Sequence, residues 1–321
     1  MKKMIPENRL LFLAALFIGV IQSCSKTDII SPIGFETNIE ADSIAFAVIG
    51  DFGLAGEPEE KVADLVKSWD PDFIITTGDN NYWNGELNTM ISNISNYYGD
   101  YIYNFDAPID YQCNGKAFEE GINRFFPSPG NHDADNKDRL QPYLNFFTLP
   151  QRETYYKFVW GPVSFYSLNS VAENVDEQKK WLNEQLSLSE TPYDIVYFHH
   201  SPYSTGHHGN TEKMQWDYYT SGVDVVLSGH DHIYARIEKK GEEGLYYIVN
   251  GVGGRNLYDC DSSPLSADEF ETFCYDADYG AIKATATFNT LVMEFYTIGQ
   301  PADPVDRIVI DSLAWNYHST P

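Results

Sequence analysis

The 321-residue sequence is short of basic residues: 21 Lys and Arg face 47 Asp and Glu, for a formal net charge of −26. Nucleic-acid backbones are held by Lys/Arg patches, and none is present, so a nucleic-acid partner is excluded. The same deficit removes charge-driven docking onto an anionic membrane surface. Cysteine is scarce (Cys24, Cys113, Cys260 and Cys274), and no CxxC spacing occurs, which argues against a thiolate zinc site. The N-terminal apolar run Leu10–Ile21 has only 12 residues, whereas a bilayer span takes ~20. Internal repeats and low-complexity blocks are absent. What is abundant is apolar and aromatic material: 43% hydrophobic residues, with 23 Tyr, 19 Phe and 6 Trp. That is enough to bury a core and excludes wholesale disorder.

Lys2 and Lys3, the short apolar run and Ile21-Gln-Ser-Cys24 read as a targeting segment. They resemble a bacterial lipoprotein leader, which implies cleavage after residue 23, a lipid on Cys24 and a place in the cell envelope, periplasmic or at the outer membrane surface. Membrane contact is then expected only through that lipid. Losing residues 1–23 removes three basic residues and one acidic one, moving the net charge from −26 to −28. Residues 24–43 read as the lipidated end and a tether, and 44–321 as one domain, expected to be monomeric. In an exported chain Cys260 and Cys274 are placed to close a short loop, leaving Cys113 over.

Ile44–Ile49 is a continuous apolar run ending in Gly50-Asp51, the pattern of a strand buried on both faces. Val62, Leu65, Val66 and Trp69 have helical spacing. Phe73–Thr77 is a second buried strand ending in Gly78-Asp79, so a parallel strand–helix–strand unit is expected. Asn80–Phe126 reads as irregular. A hairpin follows over Tyr155–Leu168, then helices over Asp176–Leu188 and Thr211–Thr220. Strands are expected at Asp194–Phe198, Val223–Leu227, Leu245–Asn250, Ala281–Phe288, Leu291–Thr297 and Ile308–Trp315. The sum is an α/β (α+β) fold: a four-layer α-β-β-α sandwich with two mixed β-sheets.

Polar clusters sit just beyond the apolar runs: Asp51-Phe-Gly53, Asp79-Asn-Asn-Tyr82, Gly130-Asn131-His132-Asp133, His199-His200, His207-His208 and Gly229-His230-Asp-His232. In α/β sheets the crevice beyond the strand C-termini binds ligands. Taken singly, each has a bland reading: Gly-Asp is a turn or cap, Asn131 a turn residue, Tyr82 packing, and the other histidines solvated loop residues. Together, two carboxylates, a carboxamide, three imidazoles and a phenol form a mixed O/N donor set suited to hard or borderline ions.

These residues resemble the metallophosphoesterases, and among them the purple acid phosphatases. That family carries DxG, GDxxY, GNH(D/E), VxxH and GHxH in order. Here they are Asp51-Phe-Gly53, Gly78-Asp79-Asn-Asn-Tyr82, Gly130-Asn131-His132-Asp133, Val196-Tyr-Phe-His199 and Gly229-His230-Asp-His232. Where most metallophosphoesterases have DxH, this chain has Gly53, and Tyr82 supplies a phenol instead. A phenol ionises readily only beside a strongly acidic ion, which favours ferric iron.

The resemblance implies a fold of metallophosphoesterase type and a binuclear centre. Asp51, Tyr82 and His232 would be on Fe(III), Asp79 bridging, and Asn131, His199 and His230 on a divalent metal (Zn, Fe or Mn). His200 is the alternative to His199. His132 would meet the phosphate and protonate the leaving group, with His207 or His208 in a similar role. The implied activity is acid phosphatase hydrolysis of small phosphate monoesters by a metal-bound hydroxide. The alternatives are a phosphodiesterase of the same superfamily, acting on nucleotides or lipid head groups, and a non-catalytic phosphate- or partner-binding lipoprotein. Because Ser25–Ser43 leaves no room for an added β domain, the chain is similar to the single-domain, tartrate-resistant form.

Overall fold

Continuous apolar runs build two sheets, because a strand covered on both faces has no polar side to present. The computed structural model describes residues 37–150 and 154–312, all within the unit spanning Pro32–Pro321. The strands are β1 (Asn38–Ile39), β2 (Ser43–Ile49), β3 (Phe73–Thr76), β4 (Phe125–Pro127), β5 (Tyr156–Trp160), β6 (Val163–Ser167) and β7 (Tyr193–His200). They continue as β8 (Val225–Gly229), β9 (Tyr234–Lys239), β10 (Tyr246–Asn250), β11 (Phe270–Tyr275), β12 (Gly280–Thr287), β13 (Thr290–Thr297) and β14 (Asp306–Asp311).

The eight-stranded sheet runs β1-β5-β6-β7-β8-β10-β9-β11 and the six-stranded sheet β14-β13-β12-β2-β3-β4. Both are mixed: β2, β3 and β4 are parallel, as are β6, β7, β8 and β10, while the remaining neighbours are antiparallel except β1 with β5. The parallel strands of each sheet therefore bring several C-terminal ends to one edge, and the site is built there.

Aromatic rings fill the space between the sheets. Phe46 stacks on Phe73 at 5.3 Å and meets Phe165 edge-on at 5.1 Å, and Trp160 lies 4.6 Å from Phe73. All but Trp160 are essentially fully buried, each such ring worth about 1.5–3 kcal/mol on burial.

Two long helices cover the outer faces. In α1 (Glu57–Ser68), Pro58 starts the helix and the exposed-side carboxylates Glu57 and Glu60 complement its positive end, while Glu59, Val62, Ala63 and Val66 are buried. In α2 (Asp176–Leu186), Leu182 and Leu186 pack with Val196 and Phe198 on the outer face of the larger sheet. Among the described residues no helix is long and apolar enough to cross a membrane.

Four expectations need correction. Thr211–Thr220 is not a helix: only Glu212–Met214 makes a 3-10 turn. Met214 and Tyr218 are buried at helical spacing, but the Asp217 carboxylate accepts the Thr220 N–H and hydroxyl at 3.1 and 2.5 Å, and this local turn competes with the helix. Asn80–Phe126 is a chain of short helical turns, with β4 beginning at Phe125. The expected tether already joins the fold at Asn38, since β1 pairs with β5 at the sheet edge. β9 and β11 were not expected. The leader, Cys24 and the end of the 308–315 strand beyond Ser312 lie outside the described residues. Cys260 and Cys274 are bonded, with Cα atoms 6.1 Å apart, and Cys113 is free and buried.

Candidate metal centre

Strands β2, β3, β4, β7 and β8 deliver the polar clusters. Asp51 and Asp79 leave β2 and β3 with φ of 52° and 51°, and His230 leaves β8 with φ of 72°. Non-glycine residues rarely adopt this region, at a cost of about 1–3 kcal/mol each, and such strain gathers where side-chain aim matters. At Gly53 no side chain fits at all, since a Cβ there would run into the Asn80 carbonyl. An imidazole therefore cannot stand at position 53, and the Tyr82 phenol occupies that side of the centre. At Gly78, with φ of 96°, a Cβ would come within 2.6 Å of the His199 Nδ1.

The donor atoms form two groups. In the first, the Tyr82 hydroxyl is 3.0 Å from Asp79 Oδ2, 3.3 Å from Asp51 Oδ1 and 3.3 Å from His232 Nε2, and that nitrogen is 3.5 Å from Asp51 Oδ1. In the second, His199 Nε2 is 2.9 Å from Asn131 Oδ1, 3.2 Å from His230 Nδ1 and 3.4 Å from Asp79 Oδ2. Asp79 Oδ2 belongs to both. All seven residues singled out as metal-binding thus come together. His199 and His232 donate Nδ1–H to the carbonyls of Thr77 and Asn256 at 2.9 and 2.7 Å, which turns both Nε2 atoms inward.

His199 is buried between Asp79 and Asn131, whereas the His200 Nδ1 is 2.9 Å from the Ser170 hydroxyl, although its ring is 4.5 Å from that of His230. The ligand atoms of His199, His200 and His230 lie within 4.8 Å of one another, as do those of Asp51, Asp79 and His199.

This donor set fits cations. Carboxylate, carboxamide and imidazole lone pairs converge with too few hydrogens to pair them. Burial disfavours a charge on His199, yet Asp79 and Asp51 outweigh it and lift its pKa to about 9. Burial and then the neighbouring imidazoles hold His230 neutral, well below the usual range, and burial first brings His200 down to about 3. Burial, then Asp79 and Asp51, keep the Tyr82 phenol protonated, far above its ordinary value. Without an ion, the two buried carboxylates draw a proton onto His199 as their one close counter-charge, and bound metal ions would take over that role.

His132 donates its own N–H to Asp79 Oδ1 at 2.8 Å and Nδ1–H to the Trp83 carbonyl at 2.7 Å, leaving Nε2 4.0 Å from Asp79 Oδ2. Both His207 and His208 are exposed and lie 5.5–5.6 Å from the Tyr258 ring, but only the His208 ring stacks on His230, at 4.0 Å. Of that pair, His208 is the one against the centre.

Sequence reasoning missed the residues that hold the loops. Asp133 accepts N–H groups of Gly130 and Asn80 and the Asn80 side-chain amide at 2.7–3.2 Å; burial and then Asp79 push its pKa up to about 7. Asp231 accepts the backbone N–H groups of His208 and Gly209 and the Ser204 hydroxyl. Both stand inside the quoted motifs, and their acid character was the available signal. Trp83, Arg255 and Tyr258, which line the rim, carry no local signal.

The family profile described as calcineurin-like phosphoesterase matches residues 44–234. Its curated relatives include the following three from Arabidopsis thaliana. Purple acid phosphatase 17 is 24% identical, over 80% of this chain and 81% of that protein. Purple acid phosphatase 15 is 30% identical, over 65% and 44%. Fe(3+)-Zn(2+) purple acid phosphatase 12 is 26% identical, over 63% and 46%. The chain thus spans less than half of the last two. Among solved structures it resembles the yellow lupin purple acid phosphatase PPD1, with a TM-score of 0.65 and 17% identity over 89% of this chain and 57% of that one. It also resembles Plasmodium GAP50, titled the anchor in the inner membrane complex, with a TM-score of 0.63 and 17% identity over 88% and 96%. At that identity the likeness is one of fold.

Proposed function

Because the chain belongs to the calcineurin-like phosphoesterase family, we propose that it hydrolyses phosphate monoesters at a binuclear metal centre of the purple acid phosphatase kind. The observation that carries this reading is Asp79 Oδ2, which stands 3.0 Å from the Tyr82 hydroxyl in one donor group and 3.4 Å from His199 Nε2 in the other. Asp51, Tyr82 and His232 would hold Fe(III), and Asn131, His199 and His230 a divalent Zn, Fe or Mn, with Asp79 shared. One relative is named for an Fe(3+)-Zn(2+) pair. Bound there, the two cations would neutralise phosphate oxygens and acidify a water molecule for in-line attack on phosphorus.

The chain's own residues do the rest. With Nδ1–H held by the Trp83 carbonyl, His132 turns Nε2 toward the centre, where it can give a proton to the departing oxygen. Its 28% exposed side chain is then reprotonated from solvent. His208, stacked on His230, is set to donate to a phosphate oxygen.

Metal analysis combined with rates on phenyl phosphate and diphenyl phosphate tests the proposal. Iron-containing protein that cleaves the monoester faster supports it. Dominant diester cleavage would make the protein a phosphodiesterase. A metal-loaded protein that cleaves neither would leave a binding role.

We also infer a lipid anchor in the bacterial cell envelope, from the leader and Cys24. Cys24→Ala should move the protein from the membrane to the soluble fraction, and unchanged partition would refute the anchor.

A further inference from the structure

Arg255 has no use in the donor set, yet its backbone and side chain are both held in place. It follows the Gly253-Gly254 pair beyond β10, and its backbone N–H donates to the Asp51 carbonyl at 3.0 Å. Its guanidinium carbon lies 4.1 Å from the centroid of the Trp83 ring and 5.4 Å from that of Tyr82. A guanidinium laid on an indole keeps its N–H edge free, because stacking uses the face.

Among the described residues that edge has no hydrogen-bond acceptor. Arg124, Arg236 and Arg307 each pair with a carboxylate, but among the described residues no carboxylate pairs with Arg255. In a chain with 47 acidic residues, an unpaired guanidinium at the mouth of a candidate anion-processing centre is conspicuous. Trp83 is 54% exposed, and its carbonyl holds His132. One wall therefore runs from Asp79 through His132 and Trp83 to Arg255. On the proposed mechanism, a leaving group protonated by His132 would lie against that wall.

We infer that Arg255, splinted by Trp83, is a specificity-determining residue that recognises an oxyanion on the leaving-group side of the ester. The preferred substrates then carry a carboxylate or second phosphate on the alcohol portion. A forked guanidinium meets either group through two parallel hydrogen bonds. The inference rests on the phosphomonoesterase reading, and it concerns the same centre. The chain's overall negative charge repels multiply charged esters at long range, so this local cation decides which of them are held once they arrive.

The test compares phenyl phosphate with its 3- and 4-carboxyphenyl analogues and with pyrophosphate, reading kcat/KM. Calorimetric Kd values for phenylphosphonate and the carboxyphenylphosphonates, which cannot be hydrolysed, are measured in parallel. We expect wild type to favour the carboxylated ligands by about tenfold or more in both readouts. Arg255→Gln should collapse that ratio toward one. Trp83→Ala should lower it, and Trp83→Phe, which restores a ring face, should recover most of it. Pyrophosphate preferred without any carboxylate preference would narrow the recognised group to phosphate.

Absence of any anion preference in wild type, or its survival in Arg255→Gln, overturns the inference. Hydrolysis without preference would sink Arg255 alone. Preferential phosphonate binding without hydrolysis of any ester would sink the enzymatic reading and keep Arg255.

Discussion

The Tyr82 hydroxyl donates to Asp79 Oδ2 at 3.0 Å, joining a phenol and a carboxylate only three residues apart on the loop after β3. The same hydroxyl reaches Asp51 and His232. Tyr82→Phe keeps the ring and removes the phenol oxygen through which the proposed ferric iron would be held. The proposed centre predicts a pink to violet wild type and loss of that visible absorption in the variant, with fold retained by circular dichroism. A variant with the wild-type visible band would show that Tyr82 is not a ligand.

Gly53 and Asn80 make a second test, independent of metal. A Cβ at 53 meets the Asn80 carbonyl, and the backbone cannot yield freely there because the Tyr82 N–H donates to the Gly53 carbonyl at 2.7 Å. Gly53→Ala should therefore cost about 2 kcal/mol or more in urea denaturation. Gly53→His should do no better, despite supplying an imidazole. Wild-type stability in Gly53→Ala would show that the two loops separate at little cost.

The strand ends were legible because a doubly buried strand advertises itself as an unbroken apolar run, and Ile44–Ile49, Phe73–Thr76 and Ile195–Phe198 all do so. The runs alone therefore place the polar clusters at one edge of the sheets. The Thr211–Thr220 segment misled because burial of Met214 and Tyr218 mimics a helical stripe, while the Asp217 turn is a side-chain event that periodicity does not register. β9 and β11 escaped notice because charged Arg236, Glu238 and Glu271 interrupt their apolar residues. The rim was invisible for another reason. Trp83 and Arg255 are 172 positions apart, and only tertiary structure lays one on the other.

Asp231 offers a test of how the 204–209 loop is aimed. One oxygen accepts the His208 N–H at 2.7 Å, and the other accepts the Ser204 hydroxyl at 2.5 Å and the Gly209 N–H at 3.2 Å. Asp231→Asn has the same shape but turns an NH2 toward donors, so the loop should shift and carry His208 off His230. We expect kcat/KM for phenyl phosphate to fall by about 10- to 100-fold with metal content retained. His208→Ala should fall similarly, and the double variant should show little further loss, because the two act as a unit. Full additivity would separate Asp231 from His208.

Glu59 makes stability depend on pH in a way that one substitution can isolate. It is fully buried in α1, neither carboxylate oxygen has a hydrogen-bond partner among the described residues, and burial pushes its pKa up to about 10. In the unfolded chain the same group titrates near 4.5. Between those values the folded state holds a proton that the unfolded state releases, so stability is fully present below about 4.5 and is lost as pH rises toward 10. The slope is about 1.4 kcal/mol per pH unit for this group alone. Burial also raises Asp194, to about 6, and this adds loss in the same direction over a lower range. Glu59→Gln replaces the neutral acid by a neutral amide of the same shape and removes only the Glu59 contribution. Urea midpoints at pH 5 and pH 8 should therefore differ less in the variant than in wild type, with the variant the more stable at pH 8. An unchanged pH slope in Glu59→Gln would mean that Glu59 is ionised in the fold, with a counter-charge or water beside it.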